Sequence, residues 1–519
     1  MHSGRVLAFL ACFGGLACDR LGPEGREWEL VQSLAILTPL VAPLDRSNQF
    51  DGDARAEGLG QAFYFDPDFS GNSTLIDMLG RPVLTPPGRA AKGERTGITC
   101  ATCHDPARGG TDHTSNAQVS IGAGAYDVAS QPTVNSAFND LWYWNGRNDS
   151  LWSQIIAVDE SPVSMGGNRL RTMWRVADAY RERFEVLAGA LPVGGTLAEQ
   201  KALLLPDRSC RLEQGVCPAA SCAVDTATVA GQPTCWPRFP LEGRPGAKMG
   251  CQRGDSTEPF GDAFDCMAAA DRDLVTGVYV SWAKIIASYE RTLLSQDSAF
   301  DRWVKKRRDD GVESNLISDS AQRGLRLFVG KASCIECHNT RLFTDLAFHD
   351  ISVPQEGQFI PTEDQCPAGS ARCDCVAGKS CLPWGLFDGL KKLQANGFRR
   401  DSKWSADPTD DSRAAHYKLD LTSPAGEATK RRWKTPGLRD VAITGPYMHN
   451  GRYATIRDVL EHYNWGGHLG RDARDPKVVA LGLDDQELDD LAAFLLTLTG
   501  APMPLEHVTA PVLPPASVF

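Results

Sequence analysis

The sequence lacks both a long hydrophobic run and an excess of positive charge. Its N-terminal apolar run covers only residues 6–17, whereas a membrane-spanning helix needs about 20 apolar residues. The net charge is −11, and no basic run opposes it, which argues against nucleic acid as a partner. Segments with strand character are few as well, so we expect a mainly α protein.

Histidine is also scarce, with 10 in 519 residues, yet two histidines close the same five-residue motif. From composition alone, about 0.01 matches to Cys-x-x-Cys-His are expected in the whole chain. Two thiols at this spacing can bond one haem covalently while the histidine ligates its iron, whereas zinc requires no such order of ligands. We therefore predict two covalently bound c-type haems. The motifs are Cys100-Ala-Thr-Cys103-His104 and Cys334-Ile-Glu-Cys337-His338.

The first 18 residues are typical of an export signal, because Arg5 precedes the apolar run and small residues end it before Cys18. The stretch from Gly15 to Cys18 resembles a lipoprotein cleavage box. Two alternatives follow: a lipid anchor on Cys18, or plain secretion to the periplasm. In either case we predict a periplasmic or cell-envelope protein that contacts the membrane only through such an anchor.

Ten further cysteines fall into two groups of even number within Gly- and Pro-rich stretches. Such stretches bury little apolar surface, and export places them in an oxidising compartment, so we predict disulfides within each group. Their connectivity stays open, with fifteen pairings for the first group and three for the second. The groups are Cys210, Cys217, Cys222, Cys235, Cys251 and Cys266, and Cys366, Cys373, Cys375 and Cys381.

The distance between the two motifs predicts one haem domain for each. The first domain spans residues 46–300 with a Cys-rich insertion at about 205–270, and the second spans 316–505 with an irregular Cys-rich insertion at about 354–425. Between them, the charged segment 301–315 is interpreted as a linker, and the Pro-rich tail 506–519 as disordered. Apolar spacing predicts helices from Leu274 to Leu293, after Ser318, after Thr455 and from Asp485.

Several landmarks between residues 59 and 500 occur in a recognisable order. They are Phe65-Asp-Pro, Trp144-Asn-Gly-Arg, Tyr289-Glu-Arg-Thr-Leu, Gly324-Leu-Arg-Leu-Phe, Thr435-Pro-Gly-Leu-Arg and Gly445-Pro-Tyr-Met-His. This order resembles the bacterial di-haem cytochrome c peroxidase and MauG family. The resemblance implies two cytochrome c-like haem domains with long loops, a peroxidatic N-terminal haem and an electron-accepting C-terminal haem. It also implies hydrogen peroxide as substrate and a small redox protein, such as a c-type cytochrome or another protein reductant, as partner.

The resemblance also assigns roles to individual residues. His104 in the first domain and His338 in the second match the proximal iron ligands. Trp144 matches a tryptophan that relays electrons between the haems, and Gln154 matches a glutamine of the distal pocket. Ser164 stands where the family has a glutamate that shuttles protons as peroxide is cleaved. A serine hydroxyl does not titrate near neutral pH, so Glu160 or Asp159 would have to take over that task.

Two further positions depart from the peroxidases with a closed resting state. Ala123 stands where those enzymes have a histidine that blocks the first iron, so an open iron is expected, with His113 as the alternative ligand nearby. Tyr463 stands where the second iron has a methionine, as in MauG-type proteins. An anionic phenolate favours ferric iron and a low potential; His462 and Met448 are the alternative ligands.

Calcium often lies between the haems of this family. Thr444 and Pro446 match two of its positions, while Ser130 replaces an asparagine. Hydroxyl and carbonyl oxygens suit this ion, so a calcium site at these three residues is a further hypothesis.

Three functions remain open from the sequence. The first is a peroxidase that reduces hydrogen peroxide at the N-terminal haem, with electrons entering through the C-terminal haem. The second is MauG-type oxidation of a partner protein or small molecule, and the third is a non-catalytic electron-transfer or haem-sensing module, because Ser164 replaces the distal glutamate.

Overall fold

The chain forms a mainly helical structure with few and short strands. The computed structural model describes residues 25–85, 88–115, 117–197, 239–246, 264–265, 267–311, 314–359, 385–468 and 474–516, together with the backbone of short strands between residues 222 and 383. The export signal with Cys18, and the side chains of the ten cysteines predicted to form disulfides, lie outside these residues. Among the described residues, no helix is long and apolar enough to cross a membrane.

The described residues up to residue 290 contain seven α-helices. They are α1 (Arg26–Leu34), α2 (Ala54–Phe65), α3 (Cys100–Cys103), α4 (Leu151–Asp159), α5 (Arg169–Ala179), α6 (Arg181–Ala188) and α7 (Ala269–Glu290). Strands β1 (Cys222–Val229) and β2 (Gln232–Pro237) pair antiparallel between α6 and α7. The long helix predicted from Leu274 is therefore α7, and it begins five residues earlier.

The C-terminal half contributes eight more described helices and four strands of two residues each. The helices are α8 (Ala299–Asp310), α9 (Asp319–Val329), α10 (Leu386–Ala395), α11 (Ala414–Lys418), α12 (Pro424–Glu427), α13 (Ile456–Asn464), α14 (Asp485–Leu496) and α15 (Leu505–Val508). The strands pair antiparallel as β3 (Phe348–His349) with β6 (Trp433–Lys434) and β4 (Cys373–Asp374) with β5 (Leu382–Pro383). The predicted N-caps Ser318 and Thr455 both accept a backbone hydrogen bond at the start of their helices.

Each haem motif lies beside a pair of closely packed helices. In the first domain α2 crosses α7 at Gly60, where a Cβ atom would overlap the carbonyl of Ile285. In the second domain α9 crosses α14 at Gly324, where a Cβ atom would overlap the carbonyl of Asp490. Glycine has no side chain and so permits both close approaches. A helix crossing at a glycine therefore lies next to the haem motif in both domains.

The two largest hydrophobic clusters of the described residues fall mainly in the two predicted domains, one in each. The first is built around buried tryptophans of α4, α5 and α7, namely Trp152, Trp174 and Trp282. The second joins α8, α9 and α14 through edge-to-face phenylalanines, with Phe328 and Phe494 5.2 Å apart between ring centres. Edge-to-face pairs add about 0.5–1.5 kcal/mol each beyond area burial.

The interpretation of residues 301–315 as a linker is wrong, because α8 occupies most of this segment. Phe300, Trp303 and Val304 are buried in the second core. The charges that suggested a linker form pairs one turn apart on the exposed face, such as Lys306 with Asp310 at 2.7 Å. The charge run is thus the solvated side of an amphipathic helix.

Two other segments are more ordered than the sequence suggested. The second insertion contains α10, whose Leu390 and Leu393 share a small core with Leu141, so it is not irregular throughout. The tail packs on the first domain up to residue 516: Tyr289 donates a hydrogen bond to the carbonyl of His507 at 2.6 Å, and Arg175 donates one to the carbonyl of Pro515 at 3.1 Å. The described part of the tail is therefore anchored.

Candidate functional site

The first Cys-x-x-Cys-His motif forms a one-turn helix, α3, with Thr99 as its N-cap. Its histidine, His104, is held from one side only: Nδ1 donates to the carbonyl oxygen of Gln131 at 2.9 Å and to that of Gly110 at 3.2 Å. Burial lowers the pKa of His104, so the imidazole stays neutral. The protein thus fixes Nδ1 and leaves Nε2 for an iron ion, as is typical of histidine ligands.

The second motif repeats this arrangement with different local structure. Residues Cys334–Glu336 form a 3₁₀ turn, and His338 Nδ1 donates to the carbonyl oxygen of Phe343 at 2.6 Å. Burial lowers the pKa of His338 as well. The four motif cysteines carry no disulfide, so all four thiols are available for haem attachment.

Both motifs open into large cavities. Each cavity is lined by the two cysteines and the histidine of its own motif together with apolar side chains, so a haem bonded to these thiols would lie inside it. The donor set and the cavities together fit two covalently attached c-type haems, held by Cys100 and Cys103 and by Cys334 and Cys337.

Trp144 lies between the two cavities and lines both of them. Its indole N–H donates to the carbonyl oxygen of Ala129 at 2.8 Å, and its own carbonyl accepts from the backbone N–H of Lys434 at 2.9 Å. The side chain is 8% exposed. The residue is therefore fixed by both domains at their junction, where a relay between two haems would have to lie.

The first cavity contains the other predicted residues of the distal pocket. Gln154, on α4, and Ser164 both line it. Ala123 leaves only a methyl group at the position of the blocking histidine, and its backbone N–H donates to the carbonyl of Ser164 at 2.6 Å. His113 does not line this cavity; its Nε2 lies 3.0 Å from the carbonyl oxygen of Arg108.

Neither Glu160 nor Asp159 reaches the first cavity. Glu160 forms a bidentate ion pair with Arg169, with both N–O distances at 2.8 Å. Asp159 accepts a hydrogen bond from the hydroxyl of Tyr279 at 2.8 Å, and burial raises the pKa of Asp159 to about 7. The hypothesis that one of these acids replaces the missing glutamate is therefore not supported.

Sequence reasoning overlooked a half-buried phenol and guanidinium beside Ser164. Tyr126 lines the first cavity, and the guanidinium of Arg147 lies over the ring of Tyr143 at 3.6 Å and donates to the Tyr126 hydroxyl at 3.4 Å. The arginine was visible as part of the Trp144 landmark, but no spacing pattern connects Tyr126 to it, because loops bring the two together.

In the second cavity Tyr463, on α13, is one of the lining residues. Its hydroxyl forms no hydrogen bond with the described residues, whereas the alternative ligand His462 uses both ring nitrogens, toward Tyr453 Oη and Ile351 O at 2.9 Å each. Met448 also lines this cavity. Burial raises the pKa of Tyr463 well above its ordinary value, so its phenol would lose its proton only to a strong positive charge such as a ferric ion.

The three residues of the calcium hypothesis line the second cavity together. Ser130 Oγ donates to the carbonyl oxygen of Cys103 at 2.7 Å, and Thr444 Oγ1 donates to that of Val441 at 3.4 Å. Both hydroxyls are thus engaged with the backbone, and calcium at Ser130, Thr444 and Pro446 stays a prediction.

Comparison with known proteins places these features in a family. Residues 54–203 match the model of the di-haem cytochrome c peroxidase family. The methylamine utilization protein MauG of Methylorubrum extorquens is 25% identical over 460 residues, which cover 88% of this chain and 80% of that protein. Cytochrome-c peroxidase IdrP2 of a Pseudomonas species is 28% identical over 516 residues, 99% of this chain and 98% of that protein.

Two further likenesses are shorter or weaker. Cytochrome-c peroxidase IdrP1 of Denitromonas iodatirespirans is 33% identical over 239 residues, 46% of this chain and 53% of that protein. The crystal structure of the diheme peroxidase BthA from Burkholderia thailandensis aligns with a TM-score of 0.49 and 18% identity, covering 92% of this chain and 97% of that one. The family match and the full-length relatives confirm the resemblance stated from the sequence: this chain is similar to di-haem cytochrome c peroxidases and MauG proteins over most of its length, and this likeness indicates an oxidoreductase of that kind.

Proposed function

We propose that this protein is an exported, periplasmic or cell-envelope di-haem enzyme that reduces hydrogen peroxide at the N-terminal haem with electrons supplied through the C-terminal haem. Two covalently held haems would supply redox-active iron, with an open coordination position in the first domain. The observation that carries the proposal is the position of Trp144, which lines both cavities and is held by backbone bonds from either side.

The residues that line the two cavities also support electron flow from the C-terminal haem to the N-terminal haem. In the first cavity Gln154 is one of the lining residues, whereas Ala123 is fully buried and does not line the cavity, so no side chain at position 123 occupies the space for a small substrate. In the second cavity Tyr463 and Met448 are lining residues with atoms that could ligate a haem iron, and an iron ligated in this way would suit electron transfer better than substrate binding. The two domains thus divide substrate binding and electron entry between them.

The test is steady-state oxidation of a reduced small c-type cytochrome by the haem-loaded protein after addition of hydrogen peroxide. One H₂O₂ takes up two electrons and two protons to give two waters, so two reduced cytochromes should be consumed for each peroxide. Turnover with this stoichiometry supports the proposal. An unchanged haem spectrum after peroxide addition contradicts it.

A second candidate is the MauG-type oxidation of a partner protein or small molecule. Tyr463 favours it, because a phenol without another hydrogen-bond partner lines the second cavity, and an anionic ligand would stabilise the oxidised iron. A spectral change on adding peroxide, without oxidation of any reduced cytochrome, favours this alternative.

A further inference from the structure

The first cavity lacks a carboxyl group at the position of the missing glutamate but contains a phenol beside it. Tyr126 and Ser164 line this cavity together with Gln154. The Tyr126 hydroxyl lies 3.2 Å from the hydroxyl of Ser161 and accepts a hydrogen bond from Arg147 at 3.4 Å. The Ser164 Oγ is buried and has no hydrogen-bond partner within 3.5 Å among the described residues.

Tyr126 lines the first cavity together with Gln154 and Ser164, the two residues that the resemblance assigns to the distal pocket. The atoms that hold His104 come from Gly110 and Gln131, whereas the neighbours of Tyr126 come from the loops around residues 147 and 161. The two sets share no residue. The Tyr126 phenol therefore shares its surroundings with the residues proposed to meet peroxide and not with those that hold His104.

The surroundings of Tyr126 suit proton transfer. Burial alone would raise the pKa of its phenol, but the charge of Arg147 and the hydroxyls of Ser161 and Ser164 outweigh burial and lower this pKa below its ordinary value. The other titratable group nearby, Tyr143, lies under the Arg147 guanidinium, and its hydroxyl donates to the backbone carbonyl of Gln154 at 3.3 Å. Burial raises the pKa of Tyr143 to about 12, so the two phenols differ in acidity.

A second acid at the cavity wall, Glu290, belongs to the attachment side. It is the last residue of α7, burial raises its pKa to about 8, and the titratable groups that couple to it include Tyr64, Tyr289 and the thiol Cys100. Tyr64 in turn donates to the backbone carbonyl of His104 at 2.6 Å. Glu290 therefore lies with the attachment thiol and the proximal histidine, away from the distal loops.

We infer that Tyr126 is the proton-transfer residue of the first haem site, with Arg147 as its positioning residue, in place of the carboxylate that Ser164 has removed. This inference rests on the proposed function. As the O–O bond of hydrogen peroxide breaks, the Tyr126 phenol gives its proton to the oxygen that leaves as water. The half-buried Ser161 then returns a proton from solvent. The two electrons come from a one-electron donor such as a reduced c-type cytochrome, and the second proton comes from solvent, so each peroxide yields two waters.

The central variant is Tyr126→Phe in the haem-loaded protein. Positioned general acids contribute about 10²–10⁴-fold, so kcat/KM for peroxide should fall at least about 100-fold. The double variant Tyr126→Phe with Ser164→Glu restores a proton donor from the neighbouring position and should recover much of that loss. Tyr417→Phe is the matched control, because it removes a phenol that hydrogen-bonds Asp149 in a region lining neither cavity.

A second readout does not depend on turnover. Fluoride bound to ferric iron accepts hydrogen bonds from distal donors, so Tyr126→Phe should weaken fluoride binding to the resting protein by about tenfold or more. The Tyr417→Phe control should bind fluoride like the wild type. Haem content and far-ultraviolet circular dichroism are compared first, so that a folding defect is recognised.

The two readouts separate the inference from the proposed function. Loss of turnover together with weakened fluoride binding supports Tyr126. Unchanged fluoride affinity in Tyr126→Phe overturns the inference, whatever happens to turnover, because the phenol then does not face the iron. A wild type that turns over no peroxide but loses fluoride affinity on the same substitution contradicts the proposed function while retaining Tyr126 as the distal donor.

Discussion

The two haem cavities share their proximal side and differ on the opposite side. In each, a buried histidine donates through Nδ1 to a backbone carbonyl. Across the first cavity stand Gln154, Ser164 and Tyr126, which can donate hydrogen bonds but do not usually ligate iron. Across the second stand Tyr463 and Met448, which can ligate. In the proposed function, the same attachment motif would therefore serve a substrate site in one domain and an electron-transfer site in the other.

The largest expected effect comes from removing one haem at a time. Replacing Cys100 and Cys103 by serine should abolish the reaction with peroxide while leaving the second haem reducible. Replacing Cys334 and Cys337 should leave a peroxide-dependent spectral change at the first haem but reduce cytochrome turnover at least about 100-fold, because electrons then lack an entry point. Stopped-flow spectra with haem quantification test this. If both variants lose the peroxide-dependent spectral change to the same extent, the two cavities do not differ in the way described.

The buried acids of the two domains provide the next contrast. In the second domain Asp301 pairs with Arg439 at 2.7 Å, and both side chains are 2% exposed. Asp301→Asn leaves the guanidinium without its counter-charge, which should cost about 3–5 kcal/mol of unfolding free energy. Chemical denaturation followed through the second haem measures this. A cost below about 1 kcal/mol, the range of exposed pairs, would show that the pair is hydrated.

Asp159, in the first domain, has no such counter-charge in hydrogen-bond contact. Burial raises its pKa from 3.8 to about 7, so between these pH values the folded chain retains a proton that the unfolded chain has lost, and stability falls as pH rises. Asp159→Asn should therefore stabilise the protein by up to about 4 kcal/mol at pH 8 and have little effect near pH 4. Denaturation at both pH values tests this; an equal effect at both would contradict it.

The smallest expected effect concerns the second iron. Tyr463→Phe should change the spectrum of the second haem and raise its reduction potential by on the order of 100 mV, because an anionic ligand is lost. Spectroelectrochemical titration resolves the two haems, and the first haem serves as an internal control. If Met448→Leu, and not Tyr463→Phe, alters the second haem, methionine is the ligand and the assignment is wrong.

The sequence was sufficient for everything that depends on local pattern. The attachment motifs, the capped helices at Ser318 and Thr455, and the order of landmarks are short-range signals, and the structure bears out the helices. The charged segment after Phe300 was interpreted wrongly because its many charged residues obscured the three buried apolar residues of the same helix. These are Phe300, Trp303 and Val304. The Tyr126 and Arg147 pair was missed because long-range contacts between loops leave no period in the sequence.

The first and the last described segments of the chain each pack against the domain that is more distant in sequence. Helix α1 packs into the second core, where Ile36 N–H donates to Asp301 at 2.8 Å. The tail after α14 packs on the first domain through Tyr289 and Arg175. The N-terminal segment thus binds the second domain and the C-terminal segment binds the first. The two domains can separate only after one of these segments dissociates. Under the proposed function, these contacts would keep constant the distance that electrons travel through Trp144, independently of domain motion.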